Sequence, residues 1–205
     1  MDDHSRYMWL RLLMAKDQAT RAIKEIKAWA EPETGNKQRR RYCAKEGVGR
    51  HFSAPYSPQQ NGVVERKNQI VVGMAQCMLK AKGMPATFWG EAVTTAVYIL
   101  KRASTKALDG QTPFEVWHGR KPNISHLRTF RCVGYVKVTK LGLSKLEDRS
   151  KPMVLLGYEA GSKGYRMYDL VERRVVISRD IVFNESTSWT GPSLEQGNMR
   201  SSSDK

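Results

Sequence analysis

The amino-acid sequence predicts an α/β region followed by a small all-β module, and three observations carry that prediction. Apolar residues recur at helical spacing through most of the chain up to Pro122. Past Lys121-Pro122 the period shortens to that of strands. The 205 residues, 40% of them hydrophobic, suffice for two small cores.

Taken in order, Tyr7-Met8-Trp9-Leu10-Arg11-Leu12-Leu13 reads as a strand. Because the chain opens almost directly on it, the fold is expected to start partway through a larger one. Asp17 is placed to cap a helix whose Ala19, Ala22, Ile23, Ile26, Trp29 and Ala30 share one face, and Glu31-Pro32-Glu33-Thr34-Gly35 is expected to end it. Lys37-Gln38-Arg39-Arg40-Arg41, a solvated loop or an import signal, leads into the end of a second helix at Tyr42-Cys43-Ala44-Lys45-Glu46-Gly47. A loop punctuated by Pro55 and Pro58 follows. The spacing then predicts a long helix over 63–82, with Val63, Ile70, Val71, Met74, Met78 and Leu79 as its apolar stripe and Gly83 and Pro85 as its end. Phe88, Trp89, Ala92, Val93, Ala96 and Leu100 mark another helix, with Trp89 and Trp117 expected in the core. Thr112-Pro113-Phe114-Glu115 is a capping box opening a short helix that ends by Gly119. The strands of the β-module are expected over 130–138, 153–158, 165–170 and 173–183, and residues 186–205 lack any period and are expected to be disordered.

Lys plus Arg number 35 against 20 Asp plus Glu, a formal charge of +15, which favours a polyanionic partner, nucleic acid first. Cys43, Cys77 and Cys132 are widely spaced and have no histidine at ligand spacing, so neither a disulfide framework nor a zinc site is expected. No apolar run reaches the roughly 18 residues of a membrane span, and Met1-Asp2-Asp3-His4 is acidic where a secretory signal is basic. Nucleus or cytoplasm is the expected location, with no membrane partner.

One stretch is far more specific. Ala54-Pro55-Tyr56-Ser57-Pro58-Gln59-Gln60-Asn61-Gly62-Val63-Val64-Glu65-Arg66-Lys67-Asn68 resembles the signature around the last catalytic acid of copia-type retrotransposon integrases. The resemblance continues through Phe88-Trp89-Gly90-Glu91-Ala92, His118-Gly119-Arg120-Lys121-Pro122 and Leu127-Arg128-Thr129-Phe130-Arg131-Cys132. It implies an RNase H-like core, here truncated, with an SH3-like β-barrel after it. The implied layout is a partial core with its following helices over 1–122, internally deleted near 35–41, then the SH3-like module over 128–185. It also implies an ancestral role in DNA integration, run by an Asp-Asp-Glu triad on Mg²⁺ or Mn²⁺.

Of that triad only Glu65 stands at a matching position. The first Asp of the family lies on a strand before the segment that Met1-Asp2-Asp3-His4-Ser5-Arg6 matches, so neither Asp2 nor Asp3 is a triad member. The motif bearing the second Asp is absent, because Gly35-Asn36-Lys37-Gln38-Arg39-Arg40-Arg41 joins its flanking helices directly. A two-metal site needs several carboxylates to hold ions about 3.5–4 Å apart. One glutamate binds a hard cation weakly or not at all, so no cofactor is expected and the chain reads as a catalytically inactive nucleic-acid binder. By the resemblance, Gln59, Gln60, Asn61, Arg66, Lys67 and Asn68 are the DNA contacts. The β-module adds Lys137, Lys140, Lys145, Arg149, Lys151, Lys163, Arg166, Arg173, Arg174 and Arg179 among its tyrosines. Two alternatives stand beside this reading: a protein-interaction module built on the β-barrel, self-association included, and a residual integrase completed by another chain.

Overall fold

A computed structural model of the chain describes residues 1–34, 62–81, 83–138 and 148–188. The expected helix end at 42–47, the loop through Asn61 and residues 189–205 of the expected tail lie outside the described residues, whereas residues 186–188, expected as tail, belong to a strand. The chain divides into two units, one of Met1–Gln76 and Val93–Leu127, the other of Cys77–Ala92 and Arg128–Lys205.

The first unit opens on a tight turn. The Asp2 carboxylate accepts the Ser5 backbone N–H at 2.9 Å and the Ser5 hydroxyl at 2.6 Å, while Asp2 N–H donates to the Tyr7 carbonyl at 2.8 Å. Arg6 takes a left-handed φ of 55° to close it, and pairs with Asp3 at 3.1 Å. Residues 7–13, expected as a strand, form none. A β-prone run becomes a strand only where a neighbour completes its ladder, and side chains anchor this one instead. Tyr7 stacks on Trp117 at 5.3 Å, Trp9 meets the same indole edge-on at 4.9 Å, and Lys101 Nζ lies 4.5 Å from the Tyr7 ring centre.

Helix α1 (Ala19–Thr34) also differs from expectation at its start. Asp17 is no cap but lies inside a 3-10 turn, Lys16–Gln18, that leads into the helix. Its other end, at Thr34, falls inside the segment 31–35 expected to end it, with Pro32 in the last turn. Helix α2 (Gly62–Ala81) buries Val71, Ala75 and Leu79 at intervals of four and ends where Gly83 adopts a φ of 58°. Its predicted stripe holds only over that second half: Val63 and Ile70 are 57% and 46% exposed. Helix α3 (Trp89–Leu100) buries Ala92, Val93, Ala96 and Val97. Trp89, expected in the core, is 37% exposed at the helix's first residue, although it shares the face of that stripe. In α4 (Pro113–His118) the N-cap half of the predicted box forms, with Thr112 Oγ1 accepting Glu115 N–H at 3.0 Å and Gly119 at a φ of 68°.

In the second unit five antiparallel strands, β1 (Cys132–Lys137), β2 (Ser150–Tyr158), β3 (Tyr165–Asp169), β4 (Arg174–Ser178) and β5 (Ile181–Ser188), form one sheet in the order β4-β3-β2-β1-β5. The run predicted over 173–183 is therefore two strands, broken at Arg179-Asp180 and placed at the two ends of the strand order. The break carries neither glycine nor proline, so the strand-like composition reads straight across it. Cys132, Val136, Met153, Leu155 and Met167 form the core, with Ile181 and Phe183 packed against it. Gly134 on β1 lets these side chains close, because a Cβ there would stand 2.7 Å from Ile181 Cγ2 and 2.9 Å from Met167 Cε.

Two polar devices fasten this unit. The Arg166 guanidinium grips Glu91 with two bonds, Nη2–Oε1 at 2.6 Å and Nε–Oε2 at 2.9 Å, and Glu159 with a third at 3.0 Å. The bonds to Glu91, and secondarily to Glu159, hold the Arg166 pKa above the usual arginine value against the opposing effect of burial. Phe88 meets Tyr168 edge-on at 4.8 Å on the same strand, so residues before Ala92 are pinned to β3 by both charge and packing. Arg166→Ala leaves two carboxylates half-buried without their partner, and is expected to cost about 1–2 kcal/mol, less than a fully buried pair because all three groups still touch water. Arg166→Lys, which keeps the charge but not the fork, should recover part of this in thermal denaturation.

The second device joins the entry to β1 with β5. The Glu185 carboxylate accepts the Thr129 hydroxyl at 2.7 Å and its backbone N–H at 3.0 Å, which holds its pKa below the ordinary carboxylate value. A depressed acid stabilises the fold above its unfolded pKa and loses that contribution as pH falls through the folded value. A shallow decline in stability below about pH 4.5 is expected, smaller in Glu185→Gln, in denaturant titrations run between pH 3 and 6.

Candidate nucleic-acid interface

The opening turns of α2 carry the residues that the family signature singles out, and helical geometry sorts them. Val63, Arg66, Lys67 and Ile70 fall at i, i+3, i+4 and i+7, one face of the helix. That face borders a cleft of about 500 Å³ whose lining includes Arg6, Thr105 and Ala107. Three cations, Arg6, Arg66 and Lys67, thus meet one cavity. The cost of bringing them together shows at Lys67, whose pKa is lowered by its partial burial and, secondarily, by the charge of Arg6. A phosphate entering the cleft would oppose that shift at Lys67.

Glu65 and Asn68 are exposed on a different flank of α2 and do not line the cleft. Gln59, Gln60 and Asn61 lie outside the described residues. Among the described residues no three His, Cys, Asp or Glu side chains gather where a metal ion could be held. A lone carboxylate of this kind does not meet the demands of a two-metal centre. Nor is any helix of the described residues long and apolar enough to cross a membrane.

Several cations of the β-module are engaged elsewhere. Arg166 is held by Glu91 and Glu159, and Lys151 and Arg174 share Glu172. Lys137, Arg149, Lys163, Arg173 and Arg179 are exposed and form no ion pair with the described residues. Lys140 and Lys145 lie outside those residues. Sequence reasoning missed Arg6. Its left-handed turn, which brings it to the cleft, is signalled only by the Asp2 and Ser5 pair, and nothing in the linear order links that turn to Arg66.

Comparison with known proteins bears on both units. Residues 132–197 match the family model of the retroviral polymerase SH3-like domain. Over 96% of its length the chain is 35% identical to the retrovirus-related Pol polyprotein from transposon TNT 1-94 of Nicotiana tabacum, covering 16% of that protein. It is 30% identical, again over 96% of its length, to the Pol polyprotein from transposon RE2 of Arabidopsis thaliana, covering 15%. An uncharacterized mitochondrial protein of Arabidopsis thaliana is 34% identical over 46% of this chain, which covers 73% of that relative. The chain therefore spans about a sixth of the length of the Pol polyproteins it matches.

Proposed function

This chain belongs to the retrovirus-related Pol polyproteins of copia-type plant transposons, and from that premise we propose that it is an integrase-derived, catalytically inactive nucleic-acid-binding protein. The unit containing α2 is then the remnant of an RNase H-like core, and the β-module its SH3-like domain. The convergence of Arg6, Arg66 and Lys67 on one cleft carries the binding reading, because these cations surround a space open to a phosphate backbone. The inactive reading rests on the missing second-acid motif, in whose place Gly35-Asn36-Lys37-Gln38-Arg39-Arg40-Arg41 stands, while Glu65, at the third triad position, does not line the cleft. Without the second acid, such a chain lacks a ligand needed to place Mg²⁺ or Mn²⁺ for chemistry while its cationic cleft stays available to a phosphate backbone.

The test is fluorescence anisotropy of labelled DNA titrated with the full chain at several salt concentrations. Affinity that falls steeply as salt rises is the expected result. No binding at low salt defeats the proposal. Joining of a labelled DNA end that depends on Mg²⁺ or Mn²⁺, and that Glu65→Gln abolishes, would show instead a residual integrase.

One observation favours a second reading, a protein-interaction module. Tyr135 on β1 and Val182 on β5 are paired directly across the sheet, and they are 43% and 73% exposed. Under that reading a defined protein partner is captured with little sensitivity to salt, and Val182→Lys abolishes the capture.

A further inference from the structure

We propose that the cleft beside α2 receives an unpaired nucleotide, its phosphate among Arg6, Arg66 and Lys67 and its base against Val63 and Ile70. This rests on the nucleic-acid reading above and narrows it to a single strand or a frayed end.

A surface made only for a duplex backbone needs charge and hydrogen-bond donors. Here the same helix face interleaves its cations with Val63 and Ile70, which add nothing to the core and stay 57% and 46% exposed. Such a mixture suits a ligand with an anionic end and an apolar face. The volume, about 500 Å³, lies within the roughly 300–1,000 Å³ of small-molecule sites and admits a nucleotide-sized group. Paired bases hide their faces in the stack and present only edges and phosphates, so a duplex can use the cations but not the aliphatic wall. An unpaired base can lie against that wall or on a guanidinium plane of Arg6 or Arg66. Partial burial of Lys67 next to Arg6 adds a reason for the phosphate to enter rather than remain at the rim.

The experiment titrates the full chain into a labelled mixed-sequence single strand and into the blunt duplex of equal length at low salt. The single strand should bind on the order of tenfold tighter. Val63→Gln with Ile70→Gln should erase that preference, read as the ratio of the single-strand to the duplex affinity; both side chains are exposed, and circular dichroism verifies that the helices persist. Equal affinity for the two forms, or a preference that survives the double substitution, overturns the nucleotide site while backbone binding stands. Failure to bind either form removes the nucleic-acid reading as well.

Discussion

Gly134→Val is expected to unfold the β-module. The glycine sits on β1 facing the core, where even the first added carbon would be 2.7 Å from Ile181 Cγ2, 2.9 Å from Met167 Cε and 3.2 Å from Phe183 Cδ1. Met167 can swing its terminal methyl aside. The β-branched Ile181 cannot, because its γ-carbon is fixed by the χ1 of a residue already in the β1–β5 ladder. Overpacking of this kind costs about 1–3 kcal/mol for a single inserted group, and valine inserts two more carbons than alanine. Small domains hold only about 5–15 kcal/mol in total, so Gly134→Ala should lower the midpoint of denaturation and Gly134→Val should leave no cooperative transition for this module. Gly73→Ala is the contrasting substitution. Nothing stands within 4 Å of a Cβ at Gly73, and the residue lies inside α2, so the exchange should stabilise by about 0.8–1 kcal/mol through helix propensity alone. A Gly134→Val chain that melts like the parent would mean that β1 does not approach β5 and β3 as described.

Replacing Arg6, Arg66 and Lys67 together by alanine is expected to reduce DNA affinity at low salt on the order of a hundredfold and to flatten the dependence of log K on log salt by about 0.9 for each phosphate no longer neutralised. Charge alone is controlled by Lys137→Ala, Arg149→Ala and Arg179→Ala, which remove the same three charges from the β-module. If the cleft is the binding site the first set is far more damaging; equal losses would assign binding to net charge, without a defined surface. Lys67 adds a pH signature. Burial and then Arg6 lower its pKa, so it sheds its proton at lower pH than a free lysine. Affinity should accordingly decline early as pH rises on the alkaline side, and Lys67→Arg, with a charge that persists, should delay that decline.

Much of the secondary structure was readable because it is encoded locally. The Thr112 cap formed as written, since Thr112 and Glu115 are three residues apart and need no other part of the chain. The same is true of the left-handed glycines that close α2 and α4. Where an outcome depends on a neighbour, the sequence misled. Residues 7–13 have strand composition but no pairing among the described residues, and the run over 173–183 hid a break between strands at opposite ends of the sheet order. Arg166 looked like a free surface cation until Glu91, far away in the chain, was found beneath it.

The sequence by itself determined most of the helices, the change of period into a β-module, the excess of positive charge and, through one long signature, the kinship. Only the tertiary structure decided which cations share a surface. Arg66 and Lys67 were adjacent on paper to Glu65 and Asn68, yet the turn of the helix separates the pairs, and a left-handed turn formed by Asp2 and Ser5 lends Arg6 to the first. Charge acts through space, so a cleft lined by residues from three segments has no linear pattern from which it could be read.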